Sequence, residues 1–233
     1  MSREKILREY HKDVIYTESD WALLKSKRKR AIELLELFRE FKPYTYGSIA
    51  RGNVHKGSDI DLIFTRPIST FKIELVLQNN GYNHYFREII MATPKDSIKL
   101  YIHLSELESL TIPITKLDKI GLEFYDFGGK ITLEQLRSEA RVPGIDKRLI
   151  LILPNSNGHE ELSIINNESF AAKQVGVSID TIMERKKVLL KRERYGRTGV
   201  FLKREIDINE SVEEVLKDLA NKKPIIRKKL FIK

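Results

Sequence analysis

Residues 46–64 read YGSIARGNVHKGSDIDLIF, and this stretch decides how the chain is interpreted. Tyr44-Thr45-Tyr46 predicts a short strand, and Gly47 and Ser48 form the turn that follows it. Glycine lets backbone N–H groups approach a ligand closely, and a helix that begins at the turn points its positive end at the same place. The turn therefore predicts an anion-binding site, with the Ser48 hydroxyl as a further donor.

A pair of aspartates follows this turn in the segment Ser58-Asp59-Ile60-Asp61. In a strand, residues i and i+2 face the same side, so Asp59 and Asp61 are expected to project together. A divalent cation relieves the repulsion between two such carboxylates, and hard oxygen ligands suit Mg²⁺. An anion-binding turn beside a magnesium-binding pair is what a protein needs to hold a nucleoside triphosphate.

The order Gly47-Ser48-x-x-Arg51-Gly52, then Ser58-Asp59-Ile60-Asp61-Leu62, resembles the signature of the DNA polymerase β superfamily of nucleotidyltransferases. The resemblance covers roughly residues 20–105 and is strongest to the small archaeal and bacterial members. It implies an α/β (α+β) fold, a mixed sheet with flanking helices. It also implies Gly47 and Ser48 on the triphosphate, and Asp59 and Asp61 as the catalytic ligands of two Mg²⁺ ions. Ser58 and Arg51 match the motif too and are predicted to bind nucleotide, although Arg51 is as readily structural.

One departure from the family pattern concerns a third carboxylate, which such enzymes normally carry on a neighbouring strand. Residues 97–104 are expected to form that strand, and its polar face presents no acid but Lys99, Tyr101 and His103. Glu88 or Asp96 could substitute. Without a third acid the protein would bind a nucleotide yet transfer slowly or not at all. Lys99 is interpreted either as an ordinary exposed strand residue or as a phosphate contact.

A second motif lies near the C-terminus, where residues 168–189 resemble a helix-turn-helix. Ala172 is small, as a helix crossing demands, and Gly176 suits the turn. Residues 192–202 are expected to add the basic hairpin of a winged helix. In a DNA-binding protein the second helix enters the major groove, and the candidate contacts to nucleic acid are Thr181, Arg185, Arg192, Arg194 and Arg197. The alternative is a helical hairpin that packs on the first domain or holds a protein partner.

The charge of the chain is unevenly placed. The net charge is +9 at pH 7, and residues 168–233 contain 17 Lys and Arg against 10 Asp and Glu, an excess of seven positive charges. A basic C-terminal third suggests a polyanionic partner, with nucleic acid as the first candidate. A solvated surface rich in Lys and Glu, as in heat-adapted proteins, explains the same charge without a partner.

Composition excludes several classes of site. The chain has no cysteine, which rules out disulfides, thiolate zinc sites and cysteine nucleophiles. No apolar run approaches the ~18–20 residues that a membrane span needs, and the charged N-terminus lacks the apolar core of a secretory signal. These features predict no membrane partner and fit a cytoplasmic protein.

Two domains are predicted, a nucleotidyltransferase-like domain at 1–142 and a basic winged-helix-like domain at 143–233. Two functions remain open. In the first, the protein is a Mg²⁺-dependent nucleotidyltransferase that moves a nucleoside monophosphate from a nucleoside triphosphate to an unidentified acceptor. In the second, it is a catalytically weak or inactive nucleotide-binding protein that regulates through DNA. The intact turn and aspartates favour the first, and the missing third acid favours the second.

Overall fold

The computed structural model describes residues 5–83 and 85–231, which form two β-sheets and nine α-helices. The helices are α1 (Glu18–Leu37), α2 (Ser48–Arg51), α3 (Thr70–Asn79), α4 (Lys119–Gly128), α5 (Leu133–Arg137), α6 (Glu168–Val175), α7 (Ile179–Tyr195), α8 (Val212–Lys222) and α9 (Pro224–Phe231). The strands are β1 (His11–Ile15), β2 (Tyr44–Tyr46), β3 (Ile60–Ile63), β4 (Phe86–Met91), β5 (Lys99–Ser105), β6 (Glu108–Pro113), β7 (Lys130–Ile131), β8 (Gly144–Ile145), β9 (Ile150–Asn155), β10 (Gly158–Ser163) and β11 (Leu202–Ile206).

The larger sheet has seven strands in the order β11-β4-β5-β6-β3-β2-β7. β3 and β6 pair in parallel, and the pairs on either side of them are antiparallel, so the sheet is mixed. Alternate residues of β3, Ile60 and Leu62, enter a core built with α1, α3, α5 and α8. This fixes the polar residues between them on the opposite face. The mixed sheet with flanking helices is the fold class that the sequence predicted.

The smaller sheet has four strands in the order β1-β10-β9-β8 and packs with α6 and α7. Its core contains Leu149 and Leu151 from the sheet side and Ala171 and Ile182 from the helices. Phe127 of α4 belongs to the same cluster. α4 therefore lies between the smaller sheet and the larger one, where its Tyr125 is buried against Ile63.

Strand pairing crosses the predicted boundary at residue 142 in both directions. β1, near the N-terminus, pairs with β10, and β11, in the C-terminal part, pairs with β4. The predicted basic wing is not formed, because Leu202 and Ile206 are buried in the core of the larger sheet. α9 also packs there through Ile226. Among the helices of residues 5–83 and 85–231, none combines the length and apolarity that crossing a bilayer requires.

Candidate nucleotide site

The turn between β2 and α2 offers unpaired donors. Gly47 adopts a φ of 82° and a ψ of −142°, a backbone region almost restricted to glycine. Its own N–H is occupied, because it donates to the Gly129 carbonyl at 2.8 Å. The N–H groups of Ser48 and Ile49, and the Ser48 hydroxyl, have no hydrogen-bond partner within the described part of the chain. A Cβ added at Gly47 would meet no atom within 4 Å, so open space adjoins these donors.

Replacing Gly47 with alanine is expected to strain the turn without a steric clash. An L-residue in this region costs about 1–3 kcal/mol, which for a chain of this size lowers the melting temperature by several degrees. Gly199→Ala is the matched control, since its added Cβ also meets open space and its φ lies outside the left-handed region. Thermal denaturation of both variants followed by circular dichroism measures the difference. Equal melting temperatures would contradict a strained turn at Gly47.

Asp59 and Asp61 stand at the start of β3, next to this turn. Asp59 precedes the strand and is exposed, whereas Asp61 lies within it and is half-buried. Ile60 between them is buried in the core on the other face of the sheet. Both aspartates line one cleft together with Gly47 and Ser48. The i and i+2 arrangement therefore brings the two carboxylates to the unpaired donors of the turn.

Asp61 sits in an environment that disfavours its charge. Burial, and further the charge of Asp59, raise the pKa of Asp61, while a hydrogen bond from the Ser109 hydroxyl to its Oδ1 at 2.5 Å acts in the opposite direction. A carboxylate that is desolvated beside a second carboxylate gains most from a bound cation. The electrostatics of the pair thus fit a metal ligand.

Ser109→Ala is expected to shift the acid limb of Mg²⁺-nucleotide binding to higher pH. Protonation of Asp61 competes with the cation, so binding is lost as the pH falls through the pKa of Asp61. Without the Ser109 donor that pKa rises further, and the loss begins at a higher pH. The measurement is nucleotide affinity as a function of pH, with the exposed Ser26→Ala as control. An acid limb unchanged from the wild type would show that Ser109 does not tune Asp61.

The strand that was expected to carry a third acid next to β3 is not the strand that pairs with β3. The strand beside β3 is β6, not residues 97–104, and its register places Ser109 opposite Asp61. Glu88 lies in β4, two strands away from β6 in the sheet. Its carboxylate pairs with His103 at 3.2 Å and with Lys203 at 2.7 Å. Asp96 accepts a bond from the Thr93 N–H in its own turn. Neither substitute acid lines the cleft.

Lys99 does not line the cleft, and its ammonium group is bonded within the fold. Its Nζ donates to the Tyr125 hydroxyl at 3.1 Å and lies 5.1 Å from the centroid of that ring. Burial lowers the pKa of Lys99. The side chain therefore supports the packing of α4 on the sheet, which neither the exposed nor the phosphate-binding interpretation anticipated.

Arg51 and Ser58, which were predicted to bind nucleotide, both line the cleft. Their polar groups form hydrogen bonds within the protein. The Arg51 guanidinium donates to the Gly128 carbonyl at 2.5 Å and to Asn53 at 3.0 Å. The Ser58 hydroxyl accepts from the His55 N–H at 2.9 Å. Arg51 thus joins α2 to the end of α4, and Ser58 closes the loop before Asp59. Both residues shape the site through the backbone they hold.

The cleft has a volume of about 900 Å³, and its far wall comes from the smaller sheet and α7. That wall carries the polar side chains Lys12, Asp146, Lys147, Arg148, His159, Glu161, Arg185 and Arg192. Arg148 pairs with Asp146 and with Glu161, each at 2.7 Å. The contact of Glu161 with His159, and then the bond from Arg148, lower the pKa of Glu161 to about 2. A carboxylate so strongly stabilised as an anion is a poor general base.

Sequence reasoning missed this second wall. β1 and β10 lie about 150 residues apart in the chain and meet only through tertiary pairing, His11 opposite Leu162. The residues from 158 to 161 are a glycine followed by three polar side chains, a composition that is as typical of a turn as of a strand. Leu162 is the one apolar side chain among residues 158–163, so no alternation in the sequence marks this segment as a strand.

The helix-turn-helix-like segment does form two helices, joined by Gly176 in a left-handed conformation. Its predicted nucleic-acid contacts divide into three groups. Thr181 is fully buried and bonds to Glu123 of α4, so the prediction that it is exposed is wrong. Arg185 and Arg192 face the cleft. Arg194 and Arg197 are exposed outside it.

Comparison with known proteins bears on the first of the two motifs. Residues 27–121 match the family model of the nucleotidyltransferase domain, a stretch that contains the turn, both aspartates and β6. The match covers less than half of the chain, and the helix-turn-helix-like segment lies outside it. No curated protein and no solved structure shows a significant match to the chain. The turn, both aspartates and β6 thus lie in the stretch of the chain that is similar to the nucleotidyltransferase domain family.

Proposed function

We propose that the protein is a Mg²⁺-dependent nucleotidyltransferase, which moves a nucleoside monophosphate from a nucleoside triphosphate to a hydroxyl group of an acceptor. One observation carries this proposal: Ser48, with its unpaired N–H and hydroxyl, and the carboxylates of Asp59 and Asp61 line the same cleft. The cleft volume of about 900 Å³ falls within the range of small-molecule sites. Donors for phosphate and ligands for a cation are therefore available to a single ligand.

Asp59 and Asp61 fit a magnesium–nucleotide complex. Mg²⁺ in nucleotide sites is usually held by one or two carboxylates together with phosphate oxygens and water, rather than by a cage of protein ligands. No group of three or more His, Asp or Glu side chains suited to a metal occurs within residues 5–83 and 85–231. Two aspartates, one of them desolvated, suit a cation that arrives with its substrate. When bound, Mg²⁺ supplies polarisation of the α-phosphate and neutralises the charge on the leaving pyrophosphate.

The residues of the chain divide the reaction between them. The N–H groups of Ser48 and Ile49, and the Ser48 hydroxyl, hold phosphate oxygens and orient the triphosphate. Asp59 and Asp61 would hold the cation, whose charge would offset that of the phosphates. The acceptor oxygen attacks the α-phosphorus and forms a new P–O bond, while the bond to the bridging oxygen breaks and pyrophosphate leaves. Because Ser109 rather than a carboxylate adjoins Asp61, the hydroxyl proton passes to water, and transfer is expected to be slow.

A second candidate function is nucleotide-dependent binding to nucleic acid. The exposed part of the C-terminal region supports it. Arg194 and Arg197 are exposed, and residues 168–233 are strongly basic. Nucleic acid is therefore a candidate both as a regulatory partner and as the acceptor that carries the hydroxyl. The burial of Thr181 weakens the first possibility more than the second, since an acceptor strand needs only to enter the cleft.

Labelled nucleotides separate these functions. The protein is incubated with Mg²⁺ or Mn²⁺, total cellular RNA and protein, and each of the four nucleoside triphosphates labelled in parallel at the α- or γ-phosphate. Nucleotidyl transfer predicts that the α-label moves to a macromolecule and that pyrophosphate is released. Transfer of the γ-label would instead indicate a kinase. Tight nucleotide binding without transfer of either label would leave the binding function, and salt-sensitive duplex binding would then be measured.

A further inference from the structure

One face of α7 forms a basic wall of the nucleotide cleft. Arg185, Leu189 and Arg192 all line the cleft, and their spacing of four and three residues puts them on one side of the helix. We infer that Arg185 and Arg192 hold the β- and γ-phosphates of the nucleoside triphosphate, so that the helix-turn-helix-like hairpin acts as a clamp on the substrate instead of a reader of duplex DNA. This inference rests on the proposed function, because it assigns a further part of the same substrate to the same cleft.

Arg185 is held in place by two aromatic rings of α4. Its guanidinium lies 4.8 Å from the centroid of Phe124 and 5.9 Å from that of Phe127. Its Nε is buried and has no hydrogen-bond partner within the described residues. Burial lowers the pKa of Arg185, while the charge of Glu184 acts in the opposite direction. A guanidinium stacked on aromatic rings with free N–H groups is prepared to receive an anion.

The helix that carries Arg185 is anchored at its beginning. Glu123 of α4 accepts a hydrogen bond from the Ser178 N–H at 3.0 Å and a second one from the Thr181 hydroxyl. Thr181 lies one turn before Arg185 on the same side of α7. The contact that removes Thr181 from solvent therefore fixes the position of Arg185, and the helix face turned toward the cleft is unavailable to a DNA groove.

Position in the cleft favours phosphate as the ligand of this wall. Phe124, which supports Arg185, lies 6.3 Å from Tyr46 between ring centroids, and Tyr46 directly precedes Gly47. Arg185 is thus connected through two packed rings to the turn that donates to phosphate. Arg192 follows two helical turns farther along, about 10 Å away at the usual rise. Cations spread along that distance match an elongated polyphosphate better than a single carboxylate or phosphate group.

The consequence is an affinity that depends on the number of phosphates. α7 contacts only the β- and γ-phosphates, so its arginines distinguish a triphosphate from a monophosphate. The carboxylates and the turn residues, in contrast, act near the α-phosphate and on the cation. Loss of the α7 cations is therefore expected to weaken triphosphate binding selectively and to leave monophosphate binding unchanged.

Isothermal titration of the full chain with ATP, GTP, CTP and UTP in excess Mg²⁺, and with the matching monophosphates, tests this inference. Arg185→Gln is expected to weaken binding of the preferred triphosphate by about tenfold to a hundredfold, as for loss of charge-assisted hydrogen bonds. Arg192→Gln is expected to weaken it by a smaller factor, since Arg192 is exposed. Arg185→Lys restores part of the affinity. Lys187→Gln, exposed on the same helix but outside the cleft, is the control and leaves affinity unchanged.

Each outcome has a distinct meaning. If Arg185→Gln and Arg192→Gln bind the triphosphate as tightly as the wild type, or lose triphosphate and monophosphate affinity equally, the clamp is refuted while the proposed function stands. The clamp is also refuted if both variants lose salt-sensitive duplex binding with unchanged triphosphate affinity. Should the wild type bind none of the four triphosphates, the proposed function fails and the clamp fails with it. Melting temperatures identify a variant that does not fold, and the exposed Arg192 then provides the decisive variant.

Discussion

Replacing either Asp59 or Asp61 with asparagine is expected to lower nucleotidyl transfer by at least about 10³-fold, the effect of losing roughly 4 kcal/mol of charge stabilisation. Asparagine keeps the size of the side chain but removes the charge that holds the cation. For Asp61 the change also removes a half-buried charge whose pKa is raised by desolvation, so the variant is expected to be at least as stable as the wild type. Lost activity with retained stability would assign the effect to the site rather than to the fold.

The matched control is Asp218→Asn, an exposed aspartate of α8. α8 packs on the face of the larger sheet opposite Asp61, so this substitution removes one negative charge far from the cleft. Transfer of the α-label is measured for all three variants with saturating and limiting Mg²⁺. If Asp59→Asn or Asp61→Asn retains more than about half of the wild-type rate, the aspartates do not hold the catalytic cation. The double variant is expected to transfer no more slowly than the slower of the two single variants, because the two residues act as a unit.

The turn and the aspartates could be predicted because their geometry is local. Gly47 needs a backbone conformation that few residues adopt, and alternation along a strand decides that Asp59 and Asp61 share a side. A run of 19 residues therefore contains most of the information for the proposed phosphate and metal part of the site. The same reasoning does not extend to Arg51 and Ser58, since a motif match cannot tell whether a polar group meets a ligand or the backbone of its own loop.

The neighbour of β3 could not be predicted by this route. Residues 97–104 and 108–113 both alternate, and the choice between them depends on how the hairpin β5–β6 docks, which places the second strand against β3 in parallel. The long connection through α3 and β4 leaves that docking open in the sequence. As a result, Lys99, Tyr101 and His103 were assigned to a position that Ser109 and Thr111 occupy.

Tertiary contacts also determine which residues of the C-terminal motif are exposed. The helices and the turn at Gly176 were predictable from small and permissive residues, but the exposed face of α7 was not. Glu123, which buries Thr181, lies more than 50 residues earlier in the chain. A helix with basic residues all round, as α7 is, gives no sign in the sequence of which arginines point inward. The boundary at residue 142 meets the same difficulty, because β1 and β11 each join the sheet of the other part.

Arg28→Ala is expected to produce the largest loss of stability among single substitutions near the site, about 3–5 kcal/mol. Arg28 is 7% exposed and donates to the carbonyls of Ile49, Ala50 and Ala140 at 3.1, 3.1 and 2.7 Å. Burial lowers its pKa to about 10, while the charge of Glu139 acts in the opposite direction. Backbone carbonyls at the end of α2 are its partners, and without the guanidinium they remain buried with reduced hydrogen bonding.

For a chain of this length, such a loss lowers the melting temperature by roughly 10 °C. Lys29→Ala, the next residue of α1 and exposed, is the control and is expected to change stability by less than about 0.5 kcal/mol. Urea denaturation of both variants gives the free energies of unfolding. A difference between them below about 1 kcal/mol would mean that water replaces the guanidinium. α2 begins at the turn that is proposed to donate to phosphate. Arg28→Ala is therefore also expected to weaken nucleotide binding at temperatures below the melting transition. Such a result would show that the buried arginine of α1 helps to order the site.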